Sequence, residues 1–133
     1  MNCNREFGIL GEESAASFLC GKGFKIIGRN VRLAHTETDI IAANDKYIIF
    51  AEVKTRRAYP NILSKVKRPA CAVDFRKQKL LINGAKAFLS KNKSICEGLQ
   101  PRIDVIEVYT SPDSEKYKVL KIVHMENAVR QHS

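Results

Sequence analysis

A chain of 133 residues, 44% hydrophobic and 28% charged, has the size and balance of one globular domain spanning 1–133, and no apolar run approaches the roughly 20 residues that a membrane-crossing helix needs. A net charge of +9 points to a polyanionic partner, with nucleic acid ahead of an anionic membrane surface. The four cysteines (Cys3, Cys20, Cys71, Cys96) lie far apart without a CxxC pair or a histidine at zinc spacing, which argues against a metal knuckle and a disulfide framework. The opening MNCNREFGILGEES meets acids before any uninterrupted apolar run, so no secretory leader and a cytoplasmic location are expected.

From about Asn4 to Cys20 the spacing of Ile9, Ala16 and Leu19 predicts a helix, stopped by CGKG at 20–23. Glu12 falls on the same face as those apolar residues, whereas Glu13 lies about 100° round the helix, toward solvent. FKIIGRNVRL (24–33) predicts a strand with a bulge at Gly28. ETDIIAA, a turn at Asn44 and Asp45, and KYIIFAEVK then predict a hairpin. Its second strand is apolar on both faces until Glu52 and Lys54, the pattern of a central strand covered on both sides.

Between Val53 and Val73 stand six cations (Lys54, Arg56, Arg57, Lys65, Lys67, Arg68), no acid, and the breakers Pro60 and Pro69. A basic mobile loop is expected over about 55–73. Asp74 reads as the N-cap of a helix whose buried stripe is Leu81, Ala85 and Phe88, with Gly84 weakening it. RIDVIEVYT and KYKVLKIVHM form a second hairpin, followed by a short tail, ENAVRQHS. The order α-β-β-β-α-β-β predicts an α/β fold, a central mixed sheet flanked by helices.

Three charges interrupt the greasy hairpin: Asp39, Glu52 and Lys54. With a two-residue turn, Asp39 would lie opposite Phe50, and Glu52 would be its diagonal neighbour on the same face; one added residue would separate the acids. Two converging carboxylates raise each other's proton affinity unless a cation neutralises them. Mg2+ (or Mn2+) suits such a pair, because it takes one or two carboxylates plus water and phosphate oxygens. Lys54 would then offset charge building on a reacting phosphate, and Glu12 would complete the shell directly or through water. The same residues also read as a rim ion pair with a turn-proximal aspartate, and Glu12 as a carboxylate favoured by the helix macrodipole.

The segments GILGEESAASFL, RN, ETDIIA, AEVKTR, RKQKLL, RIDVIEV and ENAV, over roughly residues 5–129, follow an order that resembles the YraN-type family of predicted endonucleases. That family is similar to archaeal Holliday-junction resolvases and to the PD-(D/E)xK restriction-endonuclease-like nucleases. The resemblance implies a restriction-endonuclease-like fold and a metal-dependent centre that cleaves phosphodiester bonds; the leading expectation is a DNA endonuclease selective for branched, single-stranded or damaged forms, with a homodimer as a candidate assembly. It makes Asp39, Glu52 and Glu12 metal ligands, Lys54 the catalytic lysine and Gln78 a polar residue near the site or the phosphates. Where the family usually reads G-E-I-D, this chain has Thr36, Glu37, Thr38 and Asp39.

The basic residues fit phosphate contact: Arg56, Arg57, Lys65, Lys67 and Arg68, then Arg76, Lys77 and Lys79 on the following helix. Tyr59 is a candidate for base stacking or for packing. Asp104 reads as a structural partner for a basic residue, and His35 and His124 as structural side chains. The competing class is a non-catalytic nucleic-acid-binding protein on the same fold.

Overall fold

The structure, a computed structural model, describes residues 3–58, 73–112 and 117–129. Helix α1 (Cys3–Gly21) leads into strands β1 (Lys25–Leu33), β2 (Thr36–Ala43) and β3 (Tyr47–Arg57); helix α2 (Phe75–Lys91), the short α3 (Lys93–Cys96), β4 (Gln100–Thr110) and β5 (Val119–Val129) follow. The five strands form one open sheet in the order β1-β2-β3-β4-β5. Every neighbouring pair is antiparallel except β3 and β4, which run parallel. Among the described residues no helix is long and apolar enough to cross a membrane.

The doubly apolar pattern of β3 decides the layering. Ile48 and Phe50 enter a core with Leu81, Ala85 and Phe88 of α2, while Ile49 and Ala51 enter a second core with Ala15 and Leu19 of α1. Each helix therefore covers one face of the sheet, and β3 and β4 are buried between them. The mixed α/β sheet, the buried stripe of α2 and the bulge at Gly28, where the β1–β2 register shifts, match the sequence reading. So does the Asp74 cap, whose carboxylate accepts the Lys77 N–H at 2.8 Å.

Four expectations are corrected. The buried stripe of α1 keeps Leu19 as expected but runs through the fully buried Ala15, whereas Ala16 is only partly buried and Ile9 stays 47% exposed. The basic stretch begins as strand, because β3 runs to Arg57 beside β4, and Ala58 N donates to Thr110 O at 2.8 Å. The remainder of that predicted loop, 59–72, with Tyr59, Lys65, Lys67 and Arg68, lies outside the described residues. The supposed tail is strand through Val129, which pairs with Ile103 across a register shift. The hairpin turn is longer than two residues, with consequences set out below.

Gly84 does more than weaken α2. A Cβ there would stand 2.7 Å from Thr36 Cγ2, so the glycine lets the helix lie close on β2. Gly11 does the same for α1 on β3, since its Cβ would meet Thr55 Oγ1 at 1.8 Å. That close approach also fixes the height of Glu12 above the sheet. Gly11→Ala should therefore destabilise the fold by about 1–3 kcal/mol despite the better helix propensity of alanine, measured by urea unfolding. Thr55→Ala should recover part of the loss. Unchanged stability in Gly11→Ala would contradict the close approach.

Candidate metal centre at the end of the central strands

The turn sets the site. Asn44 N donates to Tyr47 O at 3.0 Å, and the Asn44 side-chain oxygen accepts from Lys46 N at 2.9 Å and Tyr47 N at 2.7 Å. This side-chain-stabilised turn pairs Ala43 with Ile48, two positions beyond what a two-residue turn gives. Continuing the ladder from Ile40↔Ala51 sets Asp39 across from Glu52 instead of Phe50. A shift of two preserves parity, so the acids still share a face.

The β2–β3 pairing ends at Ile40↔Ala51, and there the Asp39 carboxylate takes over, accepting Val53 N at 2.8 Å. Glu52 is 7% exposed. Its Oε1 faces two ammonium groups, Lys54 Nζ at 3.5 Å and Lys77 Nζ at 4.0 Å. Its Oε2 is buried with no hydrogen-bond partner. Glu12, on α1, is near enough to Asp39 for the two charges to repel. Asn30, with its amide turned to donate, bonds Glu12 Oε1 and Glu37 Oε1 at 3.0 Å each. Arg29 Nη2 lies 4.0 Å from Glu12 Oε2, while Arg29 Nη1 binds the exposed Glu13 at 2.7 Å.

Burial raises the proton affinity of all three acids above its ordinary value. For Glu12 and Glu52 the next largest cause is repulsion from Asp39. Asp39 is itself raised by burial and by Glu37, against the Val53 N–H and the two lysines, which lower it. A buried acid elsewhere in the sheet is treated differently. Asp104, fully buried, accepts two bonds from Arg102 at 2.9 Å each, one from Asn127 N at 2.9 Å and one from His124 Nε2 at 2.7 Å. Despite the cost of burial, those bonds leave its proton affinity lowered. Asp104 is the structural acid the sequence suggested; in the Asp39–Glu52 pair both acids stay raised, and Glu52 Oε2 has no partner.

Among the described residues no three His, Cys, Asp or Glu side chains are grouped so that they could hold a metal ion. What fits is an ion that takes two carboxylates and fills its other positions with water and substrate oxygens, as Mg2+ does. The unpartnered Glu52 Oε2 could serve as one such donor and Asp39 as the other. Glu12 shares the electrostatic environment but is engaged by Asn30 and Arg29.

The predicted phosphate contacts divide. Arg56 Nε binds Glu107 at 3.2 Å, and Arg57 stacks with Phe7 and Tyr117, donating to the Tyr117 hydroxyl at 2.7 Å. Both are tied down at the end of β3, whereas a mobile loop was expected. Gln78 donates to Val73 O at 2.9 Å, holding the start of α2 and not the acids. Lys77 is brought to Glu52, Arg76 is exposed, and Lys79 lies over the Phe75 ring. Sequence reasoning missed the role of Asn30, which shows only in the fold, where the residue takes a positive φ of 52° within a strand. It also missed Glu107, a fully buried acid in register with Lys54, whose Oε2 accepts from Arg56 and Tyr109 while Oε1 has no partner. Nothing local in RIDVIEV marked it.

The raised acids carry a pH signature. A carboxyl whose folded proton affinity is raised gives stability that is complete below its unfolded pKa, near 4, and lost as pH rises through the folded value. In metal-free buffer Glu52→Gln should therefore unfold at a higher temperature than wild type at pH 7, with the gap closing as pH falls toward about 4. A wild type more stable than Glu52→Gln at pH 7 would show that the pair is already satisfied.

Comparison with known proteins assigns the chain to a group. The uncharacterised protein family UPF0102 matches residues 11–108. A UPF0102 protein of Caldanaerobacter subterraneus subsp. tengcongensis is 38% identical over 121 residues, 91% of this chain and 92% of the relative. One from Caldicellulosiruptor saccharolyticus is 39% identical over 124 residues, covering 93% and 97%. A third, from Chloroherpeton thalassium, is 40% identical over 108 residues, covering 81% and 78%. With matches spanning α1 to β4 and including every residue of the acidic centre, the chain belongs to the UPF0102 family.

Proposed function

We propose that this protein is a metal-dependent endonuclease of restriction-endonuclease-like fold that hydrolyses DNA phosphodiester bonds, with Mg2+ or Mn2+ between Asp39 and Glu52. The observation that carries it is the buried Glu52 Oε2 without a partner, one step along the strands from the last β2–β3 pair and across from the half-buried Asp39. A bound divalent ion would supply Lewis acidity, activating water and polarising the phosphate. The chain's own residues do the rest. Lys54, held 3.5 Å from Glu52, places positive charge where the reacting phosphate gains negative charge. Asp39, tied to Val53 N, keeps its carboxylate in place. Lys77 and the exposed Arg76 at the start of α2 draw the phosphate backbone toward the acids. In the reaction a water oxygen bonds to phosphorus and one phosphorus–oxygen bond to sugar breaks, leaving a phosphate monoester and a hydroxyl end.

The competing function, nucleic-acid binding without cleavage, is favoured by one observation: no third acid joins the pair as a ready-made ligand among the described residues. Incubation with branched, single-stranded and linear duplex DNA in Mg2+ or Mn2+ separates the two. Wild type should cleave, and Glu52→Ala and Lys54→Ala should each lose at least about 100-fold in rate, the scale of a lost electrostatic stabiliser. Salt-sensitive binding without cleavage, or cleavage unchanged in Glu52→Ala, would rule the nuclease out.

A further inference from the structure

The cleavage centre leaves unexplained the residue that opens α2. Phe75 follows the capping Asp74 and is 65% exposed, against 47% for Ile9 and 51% for Ile95, and it enters neither core. Scattered apolar exposure is ordinary, but this ring has cations around it. Lys79 Nζ stands 4.8 Å from its centroid, Arg76 beside it is exposed, and Lys77 reaches Glu52 at 4.0 Å. Positions 75 and 77 both lie in the first turn of α2, so the ring stands at the same end of the helix as the lysine that reaches Glu52.

We propose that Phe75 is a stacking platform for an unpaired nucleobase belonging to the strand whose phosphate enters the Asp39–Glu52 centre. The proposal rests on the nuclease reading for where that phosphate lies. Phenylalanine has no hydrogen-bonding atom with which to read the base edges that a duplex presents in its grooves. It can engage only the flat face of a base, and in a duplex the neighbouring pairs cover that face. The ring thus selects strands with an unstacked base: single strands, flaps and the mouths of branches. Lys79, now drawn to the ring's electron-rich face, turns to the adjoining phosphate when a base takes its place.

The test uses the full chain in EDTA, so that binding is read apart from cleavage, with single-stranded oligonucleotides carrying 2-aminopurine and matched duplexes. Wild type should quench the single-strand fluorescence. Phe75→Ala should abolish the quenching and weaken single-strand binding roughly tenfold by anisotropy, with duplex affinity changed less than about twofold. Phe75→Trp should retain both, and the exposed position should leave the melting temperature unchanged. Quenching and strand preference intact in Phe75→Ala would overturn the platform while leaving the nuclease reading standing if wild type cleaves in Mg2+. Quenching lost in Phe75→Ala in a protein that never cleaves would uphold the platform and overturn the nuclease. A wild type that binds no oligonucleotide would end both.

Discussion

Where the ladder between β2 and β3 runs out, the Asp39 carboxylate replaces it by accepting the Val53 N–H, and this bond holds an acid directly beside the buried Glu52. Much of the molecule serves that juxtaposition. The side chain of Asn44 shapes the turn that sets the register. Gly11 lets α1 approach and Gly84 lets α2 approach, so Glu12 arrives from one helix and Lys77 from the other. Two carboxylates partly out of water each hold a proton more tightly than a free acid does, and the nearby lysines reduce that effect without removing it.

The fold itself supplies the control. Asp104 occupies an equally dry position in the same sheet, yet Arg102, His124 and Asn127 fill its oxygens with hydrogen bonds. Burial raises a carboxyl in this sheet; at Asp104 the hydrogen bonds outweigh it, and at Glu52 the two lysines do not. A chain able to satisfy one acid so completely leaves Glu52 Oε2 bare at the end of β3. An unsatisfied buried oxygen costs stability, and such costs gather where a ligand completes the arrangement.

The layers were legible in the sequence because β3 is apolar on both faces and the helices carry periodic stripes, signals that depend only on neighbours along the chain. Asp39 and Glu52 shared a face under a two-residue turn and share it still, because the true turn shifts the register by an even number. That agreement depended on parity and did not require the correct turn. The extension of β3 through Arg57 was hidden, since Thr55, Arg56 and Arg57 read as loop until β4 offers a parallel partner and Glu107 a carboxylate for Arg56. That α1 buries Ala15 in preference to Ala16 and Ile9 depends on how the helix sits on the sheet, a tertiary fact. Asn30 and Phe75 gained meaning only from what the fold set beside them.

The most direct test of the central claim is a crystal structure grown with Mn2+ and read by anomalous scattering. The arrangement predicts a peak between Asp39 and Glu52, bonded to Glu52 Oε2, and no peak in Glu52→Gln crystals grown the same way. Well-ordered acids with no ion between them at saturating Mn2+, or an ion bound elsewhere that ignores the substitution, would contradict it.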